Sequence, residues 1–147
     1  MTLWVLFPHP YISKARFFLI FVDDFSRFSL IYFLRQKSEV FQHLKYFKSL
    51  VETQSGKKIK VLRTDNGGEY VNHEIHNIFH EAWIQFQHTV PYTLQQNGVV
   101  ERKKRSLKEM ASCMLHAKSL PQRLWAEALS CATYIQNISP HRYICQG

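Results

Sequence analysis

The sequence predicts a single α/β domain in which a mixed sheet is covered by helices. Apolar runs of strand length alternate along the chain with stretches of helical periodicity, and no composition shift marks an internal boundary. The length of 147 residues is enough for one domain and too short for two ordinary ones. Hydrophobic residues make up 46% and charged residues 20%, which is sufficient for a core and excludes a disordered tail.

The first half of the chain predicts two strands, a helix and a third strand. Residues 16–24 (RFFLIFVDD) form an apolar strand that ends in two carboxylates, and residues 28–34 (FSLIYFL) form its hairpin partner. Ser38 is the expected N-cap of a helix that runs to about Gln54 and ends at Ser55 and Gly56. The alternation in residues 58–63 (KIKVLR) predicts the next strand, which the segment TDNGG ends.

The second half predicts a short helix, a strand, a loop and two further helices. The short helix covers about residues 72–83 and the strand residues 84–88. Residues 89–98 contain a proline, two glutamines and a glycine without periodicity, which predicts a mobile loop. Helical spacing returns over residues 99–117, and a last helix is expected with Pro121 at its first position.

The charge and the apolar runs limit the function classes. A net charge of +8 favours a polyanionic partner, with nucleic acid ahead of an anionic membrane. The longest apolar runs, residues 3–7 and 17–22, are far shorter than the roughly 20 residues of a spanning helix. Three cysteines without a CxxC pair indicate free thiols in a reducing compartment.

Asp65 stands directly after a predicted strand, within RTDNGGEY. The glycines behind it allow a ligand to approach the backbone closely. A carboxylate at such a position is a natural ligand for Mg²⁺, a hard cation that prefers oxygen. An Asx-turn that closes the strand explains the same residue without a metal, and the local pattern leaves both interpretations open.

Glu101 lies near the start of the helix that follows the loop, where an acid also complements the helix dipole. At about 100° per residue, Lys104, Arg105 and Lys108 fall within roughly 60° of it. A separate face collects the apolar residues Val100, Leu107, Met110, Ala111 and Met114. Pairing of Glu101 with Arg105 is the structural alternative. However, residues 101–108 carry five cations against one acid, which suits phosphates better than self-pairing.

Several segments resemble the integrase catalytic core of copia-type LTR retrotransposons. They are RTDNGGEY, PYTLQQNGVVERKKRSL, RFFLIFVDDFSR, LIYFLRQKSEVF and SLPQRLWAEAL, which together span nearly the whole chain. Asp65 and Glu101 are separated by 35 residues, as in the D,D-35-E signature of that family. The resemblance implies a ribonuclease-H-like fold with a mixed five-stranded sheet flanked by helices. It also implies one-step transesterification that joins element ends to target DNA with two Mg²⁺ or Mn²⁺ ions.

The resemblance assigns roles to individual residues. Asp65 and Glu101 match the second and third metal-binding carboxylates, and Asn97 lies in the active-site loop. Arg105 and Lys108 match DNA-contacting basic residues. Lys104, on the same predicted helical face, joins them in the expected nucleic-acid surface.

The first catalytic acid is expected to be missing. Position at a strand end alone would select Asp23 or Asp24. In the family, that acid lies earlier, in a segment of the form S-D-x-W-G-P. Aligning Trp4 with its tryptophan places Thr2 at the acid and makes Asp23 an unlikely substitute. The first strand is therefore expected to be truncated or degenerate and strand transfer to be impaired, through a decayed element or a misplaced start.

The sequence-based prediction is one integrase core domain over residues 1–147, without the family's zinc-binding N-terminal module and C-terminal region. Its expected partners are DNA and further copies of itself, with no membrane. The family role implies the nucleus, with a cytoplasmic particle as the alternative. Whether the chain is an enzyme stays open, because a non-catalytic nucleic-acid-binding module left over from a retroelement fits the same residues. A ribonuclease-H-type nuclease fits them less well, given the segment QQNGVVERKKR.

Overall fold

The computed structural model describes residues 2–5, 15–64, 77, 80, 84–88 and 94–139, with the backbone alone for 2–5, 64, 86–88 and 94–97. The described residues contain five strands and three helices, and single 3-10 turns precede the first and the last helix. The elements are β1 (Thr2–Val5), β2 (Phe17–Val22), β3 (Ser29–Leu34), α1 (Val40–Ser55), β4 (Val61–Thr64), β5 (Gln85–His88), α2 (Leu94–Ala117) and α3 (Trp125–Ile138). The short helix expected over residues 72–83 lies almost entirely outside the described residues.

The strands pair in two ladders within the part of the chain that the structure describes. β1, β2 and β3 form an antiparallel sheet in that order, with Thr2 opposite Ile20 and Phe17 opposite Leu34. β4 and β5 form a parallel pair, with Val61 opposite Gln85. The sequence predicted a single mixed sheet. β1 contributes only four described residues, about 13 Å of strand, and they pair with β2.

The central strand β2 separates two apolar clusters because its side chains alternate between the two faces of the sheet. Leu19 and Phe21 belong to a cluster with residues of β3, α1 and β4 and with the residue before β5, namely Leu34, Val40, Leu44, Leu62 and Ile84. Ile20 points to the other face and joins the cluster built by α2 and α3, namely Leu107, Ala111, Leu115, Trp125, Ala128, Leu129 and Ala132. Helix α1 therefore covers one face of the antiparallel sheet, while α2 and α3 cover the other.

The two ends of α1 differ in how well the sequence predicted them. Ser38 does not cap the helix, because it lies inside the 3-10 turn Lys37–Glu39 and its hydroxyl contacts Gln36. Glu39 precedes the helix instead, and its carboxylate accepts a hydrogen bond from the backbone N–H of Arg35 at 2.9 Å. The helix ends as predicted at Gly56, whose φ of 65° is left-handed and therefore favours glycine.

Helix α2 begins five residues before the predicted position, so the expected loop over residues 89–98 is wrong for its last five residues. Leu94 and the two glutamines after it are good helix formers, and Gly98 in a helix interior costs only about 1 kcal/mol relative to alanine. The preference of those residues for helix therefore outweighs the single glycine. With its many charges, α2 is amphipathic, and none of the described helices is long and apolar enough to cross a membrane.

Helix α3 packs against α2, and its C-terminal end is hydrogen-bonded to β3. Pro121 is extended (φ −68°, ψ 144°) and precedes a 3-10 turn, so it is not at the predicted first helical position. The side chain of Asn137 accepts a hydrogen bond from the N–H of Ser29 at 2.9 Å and donates one to its carbonyl at 2.7 Å. These two bonds satisfy the backbone N–H and the carbonyl of Ser29, which is buried at the start of β3.

Candidate functional site

Glu101 projects from the second turn of α2 with its side chain half exposed, at 50%. Its Oε1 lies 2.5 Å from the Nζ atom of Lys104, one turn along the helix. The side chain of Lys104 is only 7% exposed, so its stem is packed into the protein while its ammonium group reaches Glu101. The carboxylate of Glu101 therefore pairs with Lys104 at i+3 and not with Arg105 at i+4. Because Lys104 is buried, this contact fixes the position of the carboxylate.

Three other cations of this segment are exposed to solvent, namely Arg102, Arg105 and Lys108. The buried apolar residues of the helix, Leu107, Ala111 and Leu115, face the core, as predicted for the first two. Val100, Met110 and Met114 pack against the same cluster. The apolar stripe thus fixes the rotation of α2 and turns Glu101 and three exposed cations outward. Of the three cations expected around Glu101, Arg105 and Lys108 are accessible to a ligand. Lys104 is buried, and its ammonium group is bound to the carboxylate of Glu101.

Lys103 is a buried cation that the sequence reasoning did not identify. Its residue is 8% exposed, and its Nζ atom has no hydrogen-bond partner in the described part of the molecule. Burial lowers the pKa of its ammonium group below the ordinary 10.5. It lies one turn before Leu107 on the stripe that faces the core, where a long apolar side chain would satisfy the packing without the charge.

Replacement of Lys103 by methionine is expected to raise the free energy of unfolding by about 1–3 kcal/mol, because it removes a buried donor that lacks a partner. The pKa of Lys103 is lower folded than unfolded, so the unfolded chain binds more protons between the two values. The cost of burying Lys103 should therefore fall as the pH rises toward 10.5, and the advantage of methionine should shrink. Urea unfolding at pH 7 and pH 10 measures both effects. Lys118→Met, at an exposed site, is the control, and equal effects of the two variants would contradict the assignment.

The other residues predicted for the site differ in how far the structure describes them. Thr2 lies in β1 with its backbone opposite Ile20, and Asn97 lies in the first turn of α2; only the backbone of each is described. Asp65 lies outside the described residues, immediately after the last residue of β4. Within the described residues, no group of three histidine, cysteine or acidic side chains is arranged to hold a metal ion.

Asp23 has a structural partner in the turn between β2 and β3. Its Oδ2 accepts hydrogen bonds from the N–H of Ser26 at 2.7 Å and from the hydroxyl of Ser26 at 2.6 Å. Burial opposes ionisation of this carboxyl, but the bonds from Ser26 prevail and hold its pKa below the ordinary value. The turn thus explains why an acid stands at position 23.

The neighbouring Asp24 links the two ladders. Its Oδ2 lies 2.8 Å from Nη1 of Arg63 in β4, two residues before Asp65. No local sequence pattern predicts this pair, because the two residues are 39 positions apart. Both side chains are well exposed, so the ion pair adds little to stability.

Comparison with known sequences identifies the family to which the chain is similar. The integrase core domain family matches residues 7–93. The chain is 42% identical over 125 residues to the retrovirus-related Pol polyprotein from transposon TNT 1-94 of Nicotiana tabacum, covering 85% of this chain. It is 38% identical over 129 residues to that from transposon RE2 of Arabidopsis thaliana, covering 88% of this chain. The chain spans 9% of the length of each of these polyproteins.

Solved structures with the same fold include two of retroviral origin. One is a simian T-cell lymphotropic virus intasome in complex with a PP2A regulatory subunit, with a TM-score of 0.66 and 23% identity, covering 90% of this chain and 46% of that one. The other is the catalytic core domain of BIV integrase, with a TM-score of 0.62 and 20% identity, covering 95% of this chain and 84% of that one. The expected ribonuclease-H-like fold is therefore confirmed.

Proposed function

Because this chain belongs to the integrase core domain family, as the catalytic core of a copia-type retrotransposon integrase, we propose that it takes part in DNA integration. The observation that carries the proposal is the outward face of α2. There a half-exposed carboxylate, Glu101, stands among the exposed cations Arg102, Arg105 and Lys108. An acid for a metal and cations for phosphates are the two components that metal-dependent phosphoryl transfer requires.

Asp65 and Glu101 are the residues proposed to hold divalent metal. The carboxylate donors suit Mg²⁺ or Mn²⁺, which prefer oxygen ligands. When bound, such ions activate a hydroxyl nucleophile and stabilise the leaving oxygen. Glu101 is only partly available, because Lys104 already binds its Oε1. Lys104 therefore orients the carboxylate and also competes with a cation for it.

The cations proposed to bind DNA are Arg105 and Lys108. Their side chains hold phosphates of the element end and of the target DNA near Glu101. The 3′ hydroxyl oxygen of the element end then attacks a phosphorus of the target strand. A new P–O bond forms as the old one breaks, and the displaced oxygen leaves as the 3′ hydroxyl of the target strand. We place this activity in the nucleus, or in a cytoplasmic particle that precedes entry, with several copies of the chain assembling on the DNA.

A second candidate function is a non-catalytic nucleic-acid-binding module. It is favoured by Thr2, which occupies the position where the family has its first acid and which carries no charge. Loss of that ligand leaves Asp65 and Glu101 as two carboxylates for two metal ions. The same surface of α2 would then bind DNA without cleaving it.

Turnover on DNA separates the two functions. Purified chain is incubated with branched and nicked duplexes and Mn²⁺, and Glu101→Gln is expected to abolish any strand transfer, because it removes a metal-binding charge and keeps the shape. Glu109→Gln, an exposed acid on the same helix, is the control and should retain activity. Activity that survives in Glu101→Gln would refute the role of Glu101. Complete inactivity of the wild-type chain, with DNA binding intact, would favour the non-catalytic module.

A further inference from the structure

The ion pair near the start of α2 differs from an ordinary surface pair, because its cation is buried and its acid is not. The side chain of Lys104 is 7% exposed, whereas that of Glu101 is 50% exposed. In the pair of Lys48 and Glu52 on α1, by contrast, the two side chains are 26% and 21% exposed. Glu101 therefore faces solvent with a positive charge behind it.

Burial favours a persistent contact between Lys104 and Glu101. An ammonium group that is taken out of water loses its hydration and needs a charged or polar partner in return. The carboxylate of Glu101 is such a partner, and its Oε1 lies 2.5 Å from the Nζ atom of Lys104. Most surface ion pairs are weak partly because two long side chains must be immobilised, but the stem of Lys104 is already packed. We therefore expect the pair to form whenever no other cation competes for Glu101.

The surroundings of Glu101 explain why its charge has to be compensated. Arg102, Arg105 and Lys108 are exposed, and such cations suit phosphates. Glu101 is the one acid in residues 101–108, so its charge would repel a phosphate that approaches these side chains. Lys104 supplies the opposite charge from the protein side and leaves the exposed cations to a ligand.

A packing role is the alternative explanation for a buried lysine, and it would need only the apolar stem. The adjacent Lys103 shows that case, since its Nζ atom has no hydrogen-bond partner in the described part of the chain. The ammonium group of Lys104 instead meets a carboxylate. Methionine keeps a long apolar side chain and lacks the charge, so it separates the two roles.

We propose that the ammonium group of Lys104 takes the place of a divalent cation at Glu101. The outward face of α2 then binds DNA phosphates without metal, and a metal ion binds Glu101 only in exchange for the ammonium group. Lys104 is thus a positioning residue that determines how strongly the site depends on metal. The inference rests on the proposed function in that Glu101 is a metal ligand and α2 a DNA-binding face, and it does not require strand transfer.

The affinity for Mn²⁺ is the first test. In calorimetric titrations, Lys104→Met should bind Mn²⁺ about 10- to 100-fold more tightly than the wild-type chain, because no charge-assisted hydrogen bond has to be broken at Glu101. Lys104→Arg keeps a cation at this position and should bind Mn²⁺ as weakly as the wild-type chain. Lys118→Met, at an exposed position between α2 and α3, is the matched control and should leave the affinity unchanged.

Binding of a labelled duplex with and without Mn²⁺, at constant ionic strength, is the second test. The wild-type chain and Lys104→Arg should bind the duplex equally well under both conditions. Without Mn²⁺, Lys104→Met should bind it about 3- to 10-fold more weakly, because the charge of Glu101 is uncovered near the phosphates. Mn²⁺ should restore the binding. The double variant Glu101→Gln/Lys104→Met lacks both charges and should again bind independently of metal.

The single variant Glu101→Gln leaves the buried stem of Lys104 undisturbed. Without Mn²⁺ it should bind the duplex about 3- to 10-fold more tightly than the wild-type chain, because the ammonium group is no longer compensated. Absence of this tightening, equal Mn²⁺ affinities of Lys104→Met and the wild-type chain, or duplex binding by Lys104→Met that ignores Mn²⁺ would each overturn the inference. If adding Glu101→Gln to Lys104→Met does not lower the Mn²⁺ affinity, Glu101 is not a metal ligand, and the metal role in the proposed function fails together with this inference.

Discussion

Replacement of Thr2 by aspartate is expected to raise the affinity of the chain for Mn²⁺ by at least roughly 10- to 100-fold, the range over which even indirect partners of a metal ligand act. Thr2 lies in β1, and its backbone is paired with Ile20 at the centre of the antiparallel sheet. Asp65 follows β4 directly in the sequence. An aspartate at position 2 would supply the third carboxylate, and the added negative charge would attract both metal ions of a two-metal site.

Calorimetric titration of Mn²⁺ measures this gain. Thr2→Asn is the matched control, because asparagine has nearly the size of aspartate without its charge, and it should leave the affinity unchanged. Asp23→Asn introduced into Thr2→Asp should not reverse the gain, since the carboxylate of Asp23 is bound to Ser26. No gain in Thr2→Asp, or an equal gain in Thr2→Asn, would show that position 2 is not the site of the first acid.

Local patterns in the sequence were sufficient where one element determined the outcome. The stop at Gly56 and the core-facing positions of Leu107 and Ala111 follow from chain geometry alone, and the structure confirms them. The apolar run of β2 was predicted as a buried strand, and its alternation explains why helices cover both faces of the sheet.

The remaining features depended on contacts between distant segments. A helical wheel places Lys104 beside Glu101, but it contains no information on the tertiary packing that buries Lys103 and Lys104. The ion pair of Asp24 and Arg63 joins residues that are 39 positions apart, so no local pattern predicts it. The early start of α2 reflects a balance of weak propensities, in which one glycine was given too much weight.

The double charge reversal Arg105→Glu/Lys108→Glu is expected to weaken binding of duplex DNA by about 10²-fold or more at low salt. Each exposed cation of α2 that contacts a phosphate releases a counterion, so two lost contacts should lower the slope of log affinity against log salt by about 2. Lys104→Gln tests a different aspect of the same surface, because its ammonium group is bound to Glu101 and its stem is buried. Its loss should change the slope little.

Fluorescence anisotropy over a range of salt concentrations distinguishes these variants. Because Arg105 and Lys108 lie on the exposed side of a helix whose opposite side is packed, their reversal should leave the thermal unfolding midpoint nearly unchanged. A lost affinity with an unaltered fold would therefore identify α2 as a phosphate-binding face. An unchanged slope would remove that assignment, and with it the explanation for five cations around one acid in residues 101–108.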